Sequence, residues 1–264
     1  MTDAELLALY DEEMRCNPAP LPDIRREEFP GIVRYMHERP GEHRGWIVYT
    51  HLDCATVDAA IEAQLSDPSW AGGKVEWKVY DHDTPANLKE RLLAHGLRAE
   101  EQEALVVLDL ADAPAYLWEP ITADVRRITS ADEIDAVMQV EEEVWGESQA
   151  WLGNELKQEL HAGPERLSIY LAYADGQLAS SAWIRFHPQR QFADLWGGST
   201  RAAFRRRGLY TALVAVRAQE ARARGVRFLT VDASPMSQPI LEKIGFRTLT
   251  YTQPFVWGGV GSRE

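Results

Sequence analysis

The sequence predicts a mixed α/β protein made of two related halves. Several short runs alternate apolar and polar residues, as half-buried strands do, and other segments carry apolar residues at helical spacing. The order strand, Pro-containing loop, short helix and glycine stop occurs twice, over residues 74–96 and 227–245. This repetition predicts an internal duplication. The alternative is a coincidental similarity between two α+β segments.

Composition and cysteine content narrow the class of protein. The chain of 264 residues is long enough for one large domain or two small ones, and 45% hydrophobic with 26% charged residues is typical of soluble globular proteins. Two cysteines, Cys16 and Cys54, provide neither a disulfide framework nor a Cys-rich metal site. The acidic N-terminus lacks the features of a signal peptide, and no apolar run spans a bilayer. We therefore predict a cytoplasmic protein without a metal or a membrane partner.

The negative charge is concentrated in the first half of the chain. Residues 1–120 contain 11 Lys and Arg against 24 Asp and Glu, whereas residues 121–264 contain 17 of each class. A nucleic-acid partner is not expected, because phosphate binding requires a basic face. A cationic acceptor would be attracted to such a surface.

The first half alternates helix and strand patterns. Two β-rich runs separated by residues 39–42 predict a hairpin, and a Pro-rich turn at residues 17–22 precedes them. The predicted helices cover residues 2–14, 57–65 and 84–96, and the predicted strands cover residues 31–38, 44–51, 74–80 and 104–110.

The second half follows a Pro-containing linker at residues 111–121, which predicts two domains, 1–119 and 120–264. A capping box from Ser130 to Glu133 starts a helix, and Asp175-Gly176 predicts a hairpin. The predicted strands cover residues 124–128, 166–174, 178–186, 191–199 and 228–233, and the predicted helices residues 130–144, 151–161, 209–224 and 239–244.

A short basic turn, Phe204-Arg205-Arg206-Arg207-Gly208, lies between a predicted strand and a predicted helix. The first turn of a helix has backbone N–H groups without intrahelical partners and the positive end of the helix dipole, which suits a phosphate. Gly208 lets the backbone approach an anion closely because it has no Cβ. The alternative is a helix start with solvated arginines.

The pattern Arg205-x-x-Gly208-x-Tyr210 resembles the Arg/Gln-x-x-Gly-x-Gly/Ala signature of the GNAT superfamily of acyl-CoA N-acyltransferases, with Tyr210 in place of a small residue. The strand, short helix and Gly245-Phe246 that follow also resemble this family, and the resemblance covers about residues 124–257. The first half has no basic glycine turn at residues 51–56, so the chain looks like a tandem GNAT protein with a degenerate N-terminal copy. The resemblance implies two GNAT-like domains, each a twisted, mostly antiparallel sheet flanked by helices.

The resemblance implies an enzyme that transfers an acetyl group from acetyl-CoA to a primary amine of a small molecule, as a monomer or homodimer. One alternative is an acyl-CoA-binding sensor or regulatory module without catalysis. Another is an interaction protein that has lost cofactor binding as well. Turnover of acetyl-CoA with an amine separates these classes.

The resemblance also implies the cofactor contacts. Amides of the basic turn would bind the pyrophosphate, and the end of the preceding strand would part from its neighbour and contact the pantetheine arm and thioester carbonyl. The paired glycines Gly197-Gly198 permit close approach of a ligand, or else mark a bulge. The implied cofactor residues are Gly198, Ser199, Thr200, Arg205, Arg206, Arg207, Gly208, Leu209, Tyr210, Thr211 and Ser234.

For catalysis, Asp194 stands where the histone acetyltransferase branch has a glutamate base within a similar Phe-Ala-acid run. Burial would raise the pKa of this carboxyl toward that of a working base, whereas the alternative role is a solvated residue or an ion-pair partner. Leu241 occupies the position at which the family often has a tyrosine acid. Tyr210, Ser237 or water are the remaining candidates for the general acid.

Acidic and aromatic residues cluster in the segment implied to border the acceptor site. Glu142, Trp145 and Trp151, together with Glu141 and Glu143, would hold an ammonium group through charge and cation–π contacts. The alternative is a solvated helix face with core tryptophans.

Overall fold

The computed structural model describes residues 1–20, 23–38, 44–70 and 73–258. The turn predicted at residues 39–42 and the end of the Pro-rich turn lie outside these ranges. The described residues form a mixed α/β fold with mostly antiparallel strands, which confirms the predicted fold class. No helix among them is both long and apolar enough to cross a bilayer.

The chain divides into two compact units that are not contiguous in sequence. The first unit contains Met1–Val106, Asp232–Ile240 and the described residues from Thr248, and the second contains Val107–Val231 and Leu241–Arg247. The domain boundary predicted at 119/120 stays a prediction, because the units group residues by contacts and not by sequence order.

The first unit begins with a helix, α1 (Asp3–Tyr10), that starts with a capping box. Thr2 and Glu5 form a capping box at the start of α1, and a π-helix, Asp11–Cys16, continues it. Strands β1, β2 and β3 are antiparallel neighbours, and β4 runs parallel to β3. The elements are α1 Asp3–Tyr10, β1 Ile24–Phe29, β2 Ile32–His37, β3 Arg44–Thr50, α2 Val57–Leu65, β4 Lys74–Tyr80, α3 Leu88–Ala94, β5 Arg98–Ala99 and β6 Glu103–Asp109.

The second unit is built around a four-stranded antiparallel meander, β7 to β10, with β11 parallel to β10. The predicted linker is packed against it, because Leu117 is fully buried and its carbonyl accepts a hydrogen bond from the Gln219 side chain (2.8 Å). The remaining elements in chain order are β7 Asp124–Arg127, α4 Ile134–Trp145, α5 Ala150–Ala162, β8 Leu167–Ala174, β9 Gln177–Phe186, β10 Phe192–Thr200, α6 Leu209–Ala223, β11 Phe228–Ala233, α7 Gln238–Ile244 and β12 Arg247–Gly258, of which β12 belongs to the first unit from Thr248 onward.

Each unit includes a strand from the other half of the sequence. In the first unit, β12 pairs antiparallel with β4, from Thr252↔Tyr80 to Gly258↔Lys74. In the second unit, the end of β6 approaches β11, where the N–H of Leu110 donates to the carbonyl of Arg227 (2.8 Å). The first unit therefore contains β12 from Thr248 onward, and the second unit contains the end of β6 from Val107.

The two halves share one order of elements. Each has an antiparallel hairpin with a register shift, then a helix, then a strand parallel to the second hairpin strand: β2-β3-α2-β4 and β9-β10-α6-β11. This confirms the predicted duplication. The halves differ at the helix start, because Asp53 Oδ1 accepts hydrogen bonds from the N–H groups of Ala55 and Thr56 (2.8 Å each) before α2. The carboxylate of Asp53 thus occupies donors that would otherwise be available to a bound anion.

A group of three charged side chains is largely buried in the first unit. Lys78 Nζ lies 2.5 Å from Asp232 Oδ2 and 3.7 Å from Glu103 Oε2. Burial raises the pKa of Glu103 to about 7, and Lys78 opposes this rise only in part. In the folded state Glu103 therefore holds a proton that the unfolded chain releases above pH of about 4.5.

The Glu103→Gln variant tests this assignment. Between pH 4.5 and 7 the unfolded chain binds fewer protons at this site than the folded chain, so the free energy of unfolding of the wild type falls as the pH rises. Removing the titrating group should abolish roughly 2–3 kcal/mol of this fall. Urea unfolding at several pH values between 4.5 and 8 measures it, with the exposed Glu101→Gln as control. Equal pH dependence in wild type and Glu103→Gln would contradict the raised pKa.

Candidate active site

Strands β10 and β11 part from each other within the second unit. Their parallel register runs from Phe192↔Phe228 to Asp194↔Thr230, although β10 continues to Thr200. Beyond Asp194, β10 remains paired with β9 on its other side. The end of β10 therefore borders a gap in the sheet, as the resemblance implied.

A bulge interrupts β10 at two glycines beside this gap. Gly197 and Gly198 have φ of +69° and +83°, and the register with β9 shifts there. A Cβ on Gly197 would lie 2.4 Å from the Trp183 ring, and one on Gly198 would lie 2.7 Å from the Tyr210 ring. Both glycines are required by conformation and by contact with side chains of this chain.

The start of α6 presents a row of unused donors. The helix begins after Gly208, whose φ is +77°, and the first main-chain hydrogen bond in it runs from Ala212 N–H to the Gly208 carbonyl. Within the described parts of the chain, the six N–H groups from Arg206 to Thr211 have no acceptor. A Cβ at Gly208 would meet nothing within 4 Å, so this helix start is open to a ligand. Such an arrangement binds anions, and a diphosphate in particular.

Two of the three arginines in the basic turn, Arg205 and Arg207, form hydrogen bonds with other residues of this chain. Arg207 forms two hydrogen bonds with the carboxylate of Asp175 (2.7 and 3.0 Å), and Arg205 Nε donates to the Thr200 carbonyl (3.0 Å). Arg206 is exposed and has a φ of +61°. The main-chain amides, rather than Arg205 and Arg207, are therefore the free donors of this site.

The candidate general acids lie in different environments. Burial raises the pKa of the Tyr210 phenol, so it is protonated at neutral pH. Ser234 and Ser237 belong to the first unit, and their hydroxyls lie 3.2 Å apart. Leu241 is fully buried, so the usual position of the tyrosine acid is part of the core here. The roles of Tyr210, Ser237 and Ser234 stay predictions.

Asp194 is held by two neighbouring side chains. His187 Nε2 lies 2.7 Å from Asp194 Oδ2, and Thr230 Oγ1 donates to Asp194 Oδ1 (2.6 Å). The sequence predicted a raised pKa, and this was wrong: burial does raise the pKa, but His187, Thr230 and Arg185 outweigh it and lower the pKa of Asp194 below its ordinary value. Asp194 is therefore ionised, and its carboxylate is held by His187 and Thr230.

Glu141 is the acidic residue of α4 that reaches the strands. It is buried, and its carboxylate accepts hydrogen bonds from Ser181 Oγ (2.6 Å), Ser199 Oγ (2.7 Å) and Trp145 Nε1 (3.1 Å). Because Ser181 and Ser199 face each other just beyond the bulge, Glu141 ties α4 to both strands. In contrast, the exposed Glu142 accepts hydrogen bonds at the turn between α4 and α5.

Two tryptophans predicted to contact the acceptor are exposed. Trp145 has 63% and Trp151 has 55% of its surface accessible, so neither is a core residue. A third exposed indole, Trp196 (43%), directly precedes the bulge. Trp145 lies near the same bulge through its hydrogen bond to Glu141. The structure thus adds Trp196 to the aromatic residues beside the gap.

Arg217 of α6 is a buried cation at the same bulge. Its Nη1 donates to the carbonyls of Trp183 (2.9 Å) and Trp196 (3.1 Å), and its Nε donates to the Leu213 carbonyl (2.8 Å). Arg217 and His187 were not predicted as site residues, because only their tertiary contacts distinguish them from other helix and turn residues.

Parted parallel strands and a helix start with free amides are the features that the resemblance to the GNAT superfamily implied for this half of the chain, and a strand bulge lies beside them. Residues 129–246 match the family model described as Acetyltransferase (GNAT) family. This segment, somewhat less than half of the chain, is therefore similar to the GNAT family, and the described fold fits two GNAT-like halves. No curated protein matches the sequence.

Solved structures share this fold at low sequence identity. A GCN5-related N-acetyltransferase from Kribbella flavida is 17% identical over 98% of this chain and 95% of its own, with a TM-score of 0.67. A functionally unknown conserved protein from Staphylococcus epidermidis is 12% identical over 91% and 96%, with a TM-score of 0.65. A tandem GNAT protein from the clavulanic acid biosynthesis pathway is 13% identical over 92% and 86%, with a TM-score of 0.57. These similarities show the fold and confirm the tandem arrangement.

Proposed function

We propose that the protein is an N-acyltransferase that transfers an acetyl group from acetyl-CoA to a primary amine of a small molecule. The observation that carries this proposal is the row of six unused N–H groups from Arg206 to Thr211 at the start of a 15-residue helix. The GNAT family match supports acyl transfer.

The residues beside the gap fit acetyl-CoA. The amides of Arg206 to Thr211 would hold the diphosphate, and the end of β10 from Gly198 to Thr200 would contact the pantetheine arm. Bound acetyl-CoA would supply an acyl group activated by its bond to sulfur. The ring of Tyr210 packs on Gly198 and narrows the space beside the end of β10. The hydrogen bond from Ser199 to Glu141 holds the end of this strand in place.

The acceptor is proposed to be a small amine because of the groups beside the bulge. The exposed indole of Trp145 provides a face for a cation, the ring of Trp196 already carries the guanidinium of Arg185 (5.1 Å), and Glu141 provides a buried carboxylate that makes hydrogen bonds to neutral donors. An ammonium group is attracted by both features. We propose a monomer or homodimer that acts on such an amine.

A second candidate function is an acyl-CoA-binding sensor without catalysis. Two observations favour it: Leu241 is a core residue where the family often has an acid, and the aromatic ring of Tyr210 lies against Gly198. Thiol release from acetyl-CoA with a panel of amines separates the candidates, because a sensor binds the cofactor without releasing CoA.

The cofactor site is tested by a charge placed at the helix start. Gly208→Asp would add a carboxylate beside the free amides, as Asp53 does before α2, and should weaken CoA binding at least tenfold. Gly208→Asn is the matched control, because it has the same shape and tolerates positive φ but carries no charge. Titration calorimetry with CoA measures both. An absence of binding by the wild type, or equal affinities of the two variants, would contradict the proposed site.

A further inference from the structure

His187 forms a pair with Asp194 at the point where the strands part. It lies in the turn between β9 and β10, its side chain is only 10% exposed, and its Nε2 is 2.7 Å from Asp194 Oδ2. Asp194 belongs to the last residue pair between β10 and β11, three residues before the bulge. The pair therefore lies where the gap begins.

The hydrogen bond fixes which ring nitrogen of His187 carries a proton. Asp194 is ionised, so its oxygen accepts and Nε2 of His187 must donate. The second nitrogen, Nδ1, has no hydrogen-bond partner in the described residues and is not among their buried unpaired atoms. In the neutral ring, Nδ1 consequently carries a lone pair that is available to another group.

The surroundings keep Asp194 charged. Thr230 of β11 donates to its second oxygen, and the guanidinium of Arg185 on β9 lies opposite Asp194 in the register. Arg185 is itself paired with Glu159 (2.6 Å) and Glu155 (3.4 Å) of α5. Among the described residues, Arg185 is the charged side chain that, besides His187, lowers the pKa of Asp194. A carboxylate that orients an imidazole in this way is a recurring arrangement in acid–base catalysis.

We propose that His187, and not Asp194, accepts the proton of the acceptor amine, and that Asp194 is a positioning residue for the imidazole. This inference rests on the proposed function. An alkylammonium has a pKa of about 10.4, which is about four units above that of imidazole and more than six above that of an ordinary carboxyl group. Transfer to a carboxylate is therefore the less favourable route, and stabilisation of the Asp194 anion makes it less favourable still.

The proton balance of the proposed reaction has two parts. One proton passes from the ammonium to His187 Nδ1, and the imidazolium then releases it to water. Overall, the amine nitrogen forms a bond to the acyl carbon, the bond from this carbon to sulfur breaks, and the second amine proton leaves with CoA as the thiol.

NMR of ¹⁵N-histidine-labelled wild type tests the geometry without cofactor. The expected result at pH 8 is the Nε2–H tautomer for His187, and in Asp194→Asn this tautomer preference should be lost. His95, whose Nε2 lies 3.2 Å from Asp58, is an internal reference in the first unit. Wild-type His187 protonated at Nδ1 in its neutral form would overturn the proposal.

Kinetics of thiol release test the role in the reaction. The His187→Gln variant keeps a side-chain donor for Asp194 but has no basic nitrogen, so kcat/KM should fall about 10²–10⁴-fold and the acidic limb of its pH profile should vanish. The affinity for CoA should stay within about twofold of the wild type. His95→Gln, the same change at a histidine outside this site, should leave all parameters unchanged.

The kinetic results distinguish a failure of the proposed role of His187 from a failure of the proposed function. Wild-type turnover and an unchanged pH profile in His187→Gln would overturn the role of His187 and leave the proposed function intact. A lack of thiol release by the wild type with every amine would overturn the proposed function and the role of His187 with it.

Discussion

The Gly198→Ala variant should lose most of its affinity for CoA. The added Cβ would lie 2.7 Å from Cε2 of Tyr210, and since Tyr210 belongs to the first turn of α6, relieving this overlap would move the amides of that turn. Positive φ at an alanine costs about 1–2 kcal/mol, and overpacking costs about 1–3 kcal/mol more. Calorimetry with CoA and thermal unfolding measure the two effects separately.

Two further variants make this prediction specific. Gly146→Ala has the same conformational penalty, with a φ of +75°, but a Cβ there would meet nothing within 4 Å, so it should lose stability and keep its CoA affinity. In the Gly198→Ala/Tyr210→Ala double variant the overlap is absent, and part of the CoA affinity should return. Equal behaviour of Gly198→Ala and Gly146→Ala would show that the contact with Tyr210 is unimportant.

Neither predicted domain, 1–119 or 120–264, should fold by itself. The first fragment lacks β12, which pairs with β4 and contributes the buried Phe255 to the core of the first unit. The second fragment lacks the end of β6, including the hydrogen bond from Leu110 to Arg227. Loss of a buried aromatic side chain alone costs about 3–5 kcal/mol, which is comparable to the stability of a small domain.

Circular dichroism and urea unfolding of the separate and co-expressed fragments test this dependence. Fragments 1–119 and 120–264 should be unfolded alone and should form a folded complex when they are co-expressed. A fragment of residues 103–247 retains both segments of the second unit and should unfold cooperatively by itself. Cooperative unfolding of isolated 120–264 would show that the end of β6 is dispensable.

Local signals predicted many elements of the fold. The strand predicted at residues 228–233 coincides with β11, and the helix predicted at residues 57–65 coincides with α2. No strand was predicted at β1, Ile24–Phe29, because its four consecutive charged residues do not show the apolar–polar alternation of a half-buried strand. The pairing of β12 with β4 was also not predicted, because strand partners distant in sequence leave no local pattern.

The candidate site was predictable where it depends on the main chain. Gly208 and the basic turn indicated a helix start with free amides because backbone conformation follows from local residue types. The partners of Asp194 were not predictable. His187 lies in a polar turn, and nothing in the sequence distinguishes it from the polar residues of other turns. The distinction between Glu141 and Glu142 depends on the rotation of α4 against the sheet, which their adjacent positions in the sequence do not determine.

Arg217 links the geometry of β10 to that of α6. Its guanidinium binds the carbonyl of Trp196, and in a trans peptide the N–H of the next residue, Gly197, must point in the opposite direction. The orientation of this peptide plane is therefore set by a side chain of another element. A side chain shorter than arginine at position 217 would not reach the Trp196 carbonyl, and the peptide plane between Trp196 and Gly197 would be free to rotate. A change in the length of the side chain at position 217 therefore requires a change in the path of β10.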